Sequence, residues 1–185
     1  EAARKILHSQ GIYDVTVQAV GGQLTDHYDP RTKTVNLSEP VYGSTSVSAI
    51  GVAAHECGHA IQDNVGYAPL RLRAAFVPVA NLGSTLSWPL ILLGLVIGLT
   101  PFIQVGIWMF VLALLFQVIT LPVEFNASGR AVALLGQIGI LQAGEVEDTK
   151  KVLGAAALTY VAAVAASVLQ LLRLLILFGG RRRDD

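Results

Sequence analysis

A chain of 185 residues can form one compact domain or a small helix bundle with a soluble part. It is 53% hydrophobic and only 14% charged, with a mean hydropathy of +0.58. Soluble domains carry about 25% charged residues, so the composition points to a lipid environment. Zero formal net charge gives no reason to expect nucleic acid, and one cysteine, Cys57, excludes an internal disulfide.

From the start, residues 2–10 read as a short helix ended by Gly11. Glu1 to Leu7 already looks like mid-helix, with no initiator Met and no signal peptide, so an upstream segment is expected, with a further transmembrane helix there as a hypothesis. Val15-Thr16-Val17 reads as a strand and Gly21-Gly22 as a turn. Residues 24–28 and 34–37 read as two more strands, joined through Asp29-Pro30-Arg31-Thr32, and together these predict a short antiparallel sheet. Ser44, Thr45 and Ser46 are N-cap candidates for a following helix. Along that helix Val47, Ile50, Ala54, Cys57 and Ile61 recur at spacings of three and four, forming a packing stripe, while His55, His59 and Gln62 lie on an adjacent stripe.

Beyond this point the chain turns apolar. No Asp, Glu, Lys or Arg occurs between Arg73 and Glu124, nor from Val152 to Leu172. Crossing a hydrocarbon core about 30 Å thick takes about 20 helical residues. The first stretch therefore allows two spans, residues 82–99 and 103–122, with a turn at Thr100-Pro101, and a third runs over 153–177. Pro122 is expected to kink the second helix rather than end it. The expected fold is a mainly α membrane protein with a small α+β, zincin-like part. Residues 1–73 would form that part, with residues 74–185 as the transmembrane region.

The chemistry gathers at His55-Glu56-Cys57-Gly58-His59. Two histidines four apart project from one helix face and can bind a single zinc. Glu56, beside the first, is placed to act as general base and acid toward a zinc-activated water. A catalytic zinc also needs a third protein ligand and an open position. No histidine follows His59, so the candidates are His8 and His27 upstream, and Asp63, Glu124, Glu145, Glu147 and Asp148 downstream. Glu124 is the best of these, because a lone carboxylate at the end of a membrane span would otherwise be costly.

The His55-to-Gln62 run, with Asp26-His27-Tyr28-Asp29-Pro30 upstream and Leu121-Pro122-Val123-Glu124-Phe125-Asn126-Ala127-Ser128 downstream, resembles the YugP-like bacterial membrane zinc metallopeptidases. More distantly the chain is similar to the HtpX and CAAX prenyl protease group of gluzincins. The resemblance implies one catalytic Zn2+ on His55, His59 and Glu124, with Glu56 as general base and acid, in a bacterial inner membrane. The wider pattern often has Asp four residues after the ligand Glu, where this chain has Ser128, so the group that orients a ligand histidine could be Ser128, Asn126 or an upstream residue.

Supporting groups are read from the residues. Val35-Asn36-Leu37 is expected to be an edge strand that takes an extended substrate by strand addition. His27 and Tyr28 are candidate donors to the oxyanion of the tetrahedral intermediate. If His55, His59 and Glu124 share one side of the membrane, that side carries Arg71, Arg73, Arg130, Lys150 and Lys151, against Arg181, Arg182 and Arg183 across it. The positive-inside rule then favours a cytoplasmic site. The function expected is a zinc endopeptidase acting at the membrane surface on peptides or proteins, membrane proteins included. The alternatives are an intramembrane-cleaving zinc protease and a non-catalytic, zinc-stabilised membrane scaffold. Against the first, the His55–His59 helix is too polar to read as a span and no later span carries Asp-Gly. Against the second stands Glu56, for which a structural site has no use.

Overall fold

The computed structural model describes residues 1–179; the arginines Arg181, Arg182 and Arg183 invoked for topology lie outside the described residues. The elements in order are α1 (Ala2–Ser9), β1 (Thr16–Val20), β2 (His27–Asp29), β3 (Thr34–Ser38), α2 (Glu39–Tyr42), α3 (Val47–Asn64), α4 (Ala68–Ile97), α5 (Thr100–Gln137) and α6 (Ala143–Gly179). This is a mainly α membrane protein with a small sheet. α4, α5 and α6 are each long and apolar enough to cross a membrane.

The chain divides into two compact units, residues 1–71 with 122–158 and residues 72–121 with the remainder of α6. In the first, α3 is the central element. Ser46 caps it by accepting a hydrogen bond from the Ala49 N–H at 3.2 Å, which satisfies one of the four N–H groups a helix start leaves unpaired. Ala54, Cys57 and Ile61 are buried, with Val47 and Ile50 packed at the margin. Ile6 and Leu7 of α1 and Val35 of β3 join this core, as do Ala131 and Leu135 of α5. Each fully buried large aliphatic stabilises the unit by about 1.5–3 kcal/mol.

The sheet corrects one expectation. Its order is β1-β3-β2, with β1 parallel to β3 and β2 antiparallel to it, so it is mixed rather than antiparallel. The chain leaving β1 passes over to the far edge of β3 before forming β2, so only the short β2–β3 connection gives antiparallel neighbours. In consequence β3 is the central strand. Val35 and Asn36 have partners on both sides, and all five residues of β3 are buried. The edge-strand expectation for Val35-Asn36-Leu37 therefore fails, because the ladder groups an added strand would use are already taken.

In the second unit, α4 and the first half of α5 run antiparallel. Position 83 lies against Met109 and Ala113, 91 against 106, and 94 against 103. The turn falls at Gly98-Leu99 rather than at Thr100-Pro101. Gly98 takes the left-handed φ of +73° there. Pro101 instead sits in the first turn of α5, where its missing N–H costs nothing. Leu92, Val96, Trp108, Leu169 and Ile176 are exposed, an apolar surface suited to hydrocarbon rather than water. α5 continues through Pro122 to Gln137, and so carries Glu124 on the same helix as the apolar segment.

Candidate metal centre

α3 offers the two histidines from consecutive turns, and their rings meet edge to face with centroids 4.8 Å apart. α5 brings Glu124 against them: its Oε2 lies 3.3 Å from His55 Nε2 and 3.8 Å from His59 Nε2. All three ligand atoms fall within 4.8 Å of one another. Four donors about 2.0–2.1 Å from a tetrahedral zinc sit about 3.4 Å apart, so this donor set fits zinc. Glu124 is buried, and a carboxylate held in such a place calls for a cationic partner.

The helices can approach this closely because position 58 has no side chain. A Cβ there would stand 2.6 Å from the Ala127 carbonyl oxygen, so Gly58 lets the α3 backbone rest on α5 between the ligand positions. Val123, Ala127 and Ala131, each fully buried, form the matching stripe of α5 at a spacing of four.

Each ligand ring has a partner on its other nitrogen. His55 Nδ1 lies 3.0 Å from Ser128 Oγ, and His59 Nδ1–H donates to Gln62 Oε1 at 3.1 Å. Asn126 lies beside Gln62. Its Oδ1 accepts from Gln62 Nε2 at 3.0 Å and from Arg130 Nε at 2.8 Å.

Glu56 is buried. Burial pushes its pKa up to about 7, with the neighbouring His55 opposing the rise, Glu124 and Asp26 adding to it and the Tyr28 backbone N–H lowering it. That peptide group belongs to β2, an outer strand of the sheet.

The side chains of the remaining candidates have partners of their own. His27 Nδ1–H donates to the Thr25 carbonyl at 2.8 Å, and Asn36 Nδ2 donates to its Nε2 at 3.2 Å. Tyr28 donates its hydroxyl to Asp63 at 2.9 Å. Burial first, and then that carboxylate, raise the phenol's pKa above the ordinary tyrosine value. Glu145 accepts from the Gln142 N–H, Glu147 and Asp148 pair with Lys150 and Lys151, and His8 lies against Tyr13. Cys57 is buried with its thiol toward the Ala3 carbonyl, and burial raises its pKa. Gln62 was not singled out as a site residue by sequence reasoning. The signal available was a large amide one turn beyond His59 on the metal-facing stripe.

The family described as "Putative neutral zinc metallopeptidase" matches residues 1–179. The chain is 49% identical over 185 residues to the "Putative membrane protease YugP" of Bacillus subtilis (strain 168), which covers all of this chain and 82% of that protein. No solved structure matches it. With the match spanning the described chain and both helices that carry His55, His59 and Glu124, the protein belongs to this zinc metallopeptidase family.

Proposed function

We propose that the chain is a zinc-dependent endopeptidase that hydrolyses peptide bonds of peptide or protein substrates at the membrane surface. The observation that carries this reading is the convergence of His55, His59 and Glu124 on one point, with Glu56 next to His55. When bound, zinc supplies Lewis-acid polarisation of water and of the scissile carbonyl.

The chain's own groups do the rest. His55 and His59 hold their Nε2 atoms toward Glu124, and Ser128 and Gln62 keep the rings from turning. Glu56 takes the proton that water gives up on attacking the peptide carbonyl and passes it to the departing nitrogen. A general base works best with a pKa near the working pH, and burial moves that of Glu56 in this direction. An extended substrate would pair with the outer edge of β2, next to Glu56, by strand addition. Arg71, Arg73, Arg130, Lys150 and Lys151 flank the apolar helices on the ligand side, which supports a cytoplasmic site in a bacterial inner membrane. A reporter fused after residue 185 is expected outside the cytoplasm; a cytoplasmic reporter would overturn that orientation.

Metal analysis and a casein-type cleavage assay on wild type, Glu56→Gln and Glu124→Ala test the core reading. Glu56→Gln should keep zinc and lose turnover by about 10²-fold or more. Glu124→Ala should lose zinc, and full occupancy in that variant would remove Glu124 from the ligand set.

A further inference from the structure

Gln62 is fully buried, and its amide is used at both ends. Its Nε2 donates to the Val123 carbonyl at 2.8 Å and to Asn126 Oδ1 at 3.0 Å, while its Oε1 accepts from His59 Nδ1. A backbone carbonyl only accepts, so the Gln62 nitrogen must face Val123. Its oxygen must then face His59, where it can only accept, and His59 must carry its proton on Nδ1. The lone pair then belongs to Nε2, the nitrogen on the side of Glu124. Asn126 is held the same way, because its Oδ1 faces two groups that only donate, Gln62 Nε2 and Arg130 Nε. The Ser128 contact sets no such constraint on His55, since a hydroxyl can donate or accept.

We propose that Gln62 is a positioning residue of the metal centre: its amide fixes the tautomer of His59 and ties that histidine to the turn of α5 that carries Glu124. The inference rests on the zinc reading above. One side chain couples two ligands from two helices, so the site keeps its shape before an ion arrives.

The test uses the full chain in detergent, with zinc affinity read by competition against a chromophoric chelator and Co2+ spectra reporting geometry. Gln62→Leu, close in volume but without polar atoms, should weaken zinc binding by about 10–100-fold. Gln62→Glu keeps an acceptor for His59 Nδ1–H and should restore affinity to within about threefold of wild type, while lowering metal-free thermal stability because it cannot donate to Val123. Leu binding as tightly as wild type, or Glu binding as weakly as Leu, overturns the proposal. A wild type that binds no zinc removes the metal-centre reading with it, a distinguishable result. A measurement that needs no Gln62 variant is the 15N spectrum of the metal-free protein with neutral rings, His55 being identified by its response to Ser128→Ala. His59 should be the Nδ1–H tautomer; the Nε2–H form refutes the assignment.

Discussion

Gly58→Ala is a substitution that most helices would welcome. Alanine exceeds glycine by about 1 kcal/mol in helix interiors, so propensity alone predicts a more stable protein. Here the added Cβ would stand 2.6 Å from the Ala127 oxygen and 3.0 Å from its Cα, about 0.8 Å short of the 3.4 Å where ordinary contact begins. The obstructing atoms are backbone, so the helices must separate. Overpacking of this kind costs about 1–3 kcal/mol, which offsets or exceeds the propensity gain. The larger effect falls on the ligands, because sound metal sites hold their distances within about 0.2 Å and the required displacement is several times that. Zinc affinity should fall by about tenfold or more, with helical content unchanged, when measured by chelator competition and circular dichroism beside Gly129→Ala. Gly129 is exposed on α5 with nothing within 4 Å of an added Cβ, so its alanine variant should bind zinc normally. Gly58→Ala with wild-type affinity and raised stability would refute the argument that a bare backbone contact sets the ligand spacing.

Removing the metal should lower the melting temperature, because an ion that binds the folded state at 1,000 times its Kd contributes about 4 kcal/mol. Thermal scans with and without chelator should show this shift in wild type and Glu56→Gln and lose it in Glu124→Ala. The Tyr28 phenol has a raised pKa. Stability from its protonated form is therefore complete below the ordinary tyrosine pKa of about 10 and is lost as pH climbs beyond it. The wild-type minus Tyr28→Phe absorbance difference should show an ionisation above that value, which Asp63→Asn moves down; an ordinary midpoint in wild type would contradict the Asp63 contact. Asp26 accepts from both the N–H and the hydroxyl of buried Ser38, so Asp26→Ala should destabilise by about 1–3 kcal/mol in denaturant titration. A neutral result would mean that water replaces the carboxylate.

The histidine-bearing helix was legible because two independent patterns, the packing stripe and the His-Glu-x-x-His spacing, coincide on α3. Glu124 was legible because a carboxylate within an apolar helix demands a reason. The sheet was not, and β3 shows why. Thr34, Asn36 and Ser38 alternate with Val35 and Leu37, the pattern of a strand with one face in water. The polar face is instead buried, satisfied by Thr16 and Gln18 of β1 and by His27 and Asp26. Alternation reports which residues are polar and leaves open whether water or a neighbouring strand satisfies them. Gln62 was obscured for a related reason, since its partners, Val123 and Asn126, lie about 60 residues away along the chain and no local pattern names them.

Ser128 and Gln62, which lie against the Nδ1 atoms of His55 and His59, offer a hydroxyl and an amide, and neither brings a charge to the centre. Where a carboxylate orients a ligand histidine, it also withdraws part of the ion's positive character through the ring. Here a divalent ion would meet one formal negative ligand, Glu124, and keep one net positive charge over the three-residue cage. Such a centre grips its metal less firmly than one surrounded by carboxylates, but presents a stronger electrophile to whatever enters the open position.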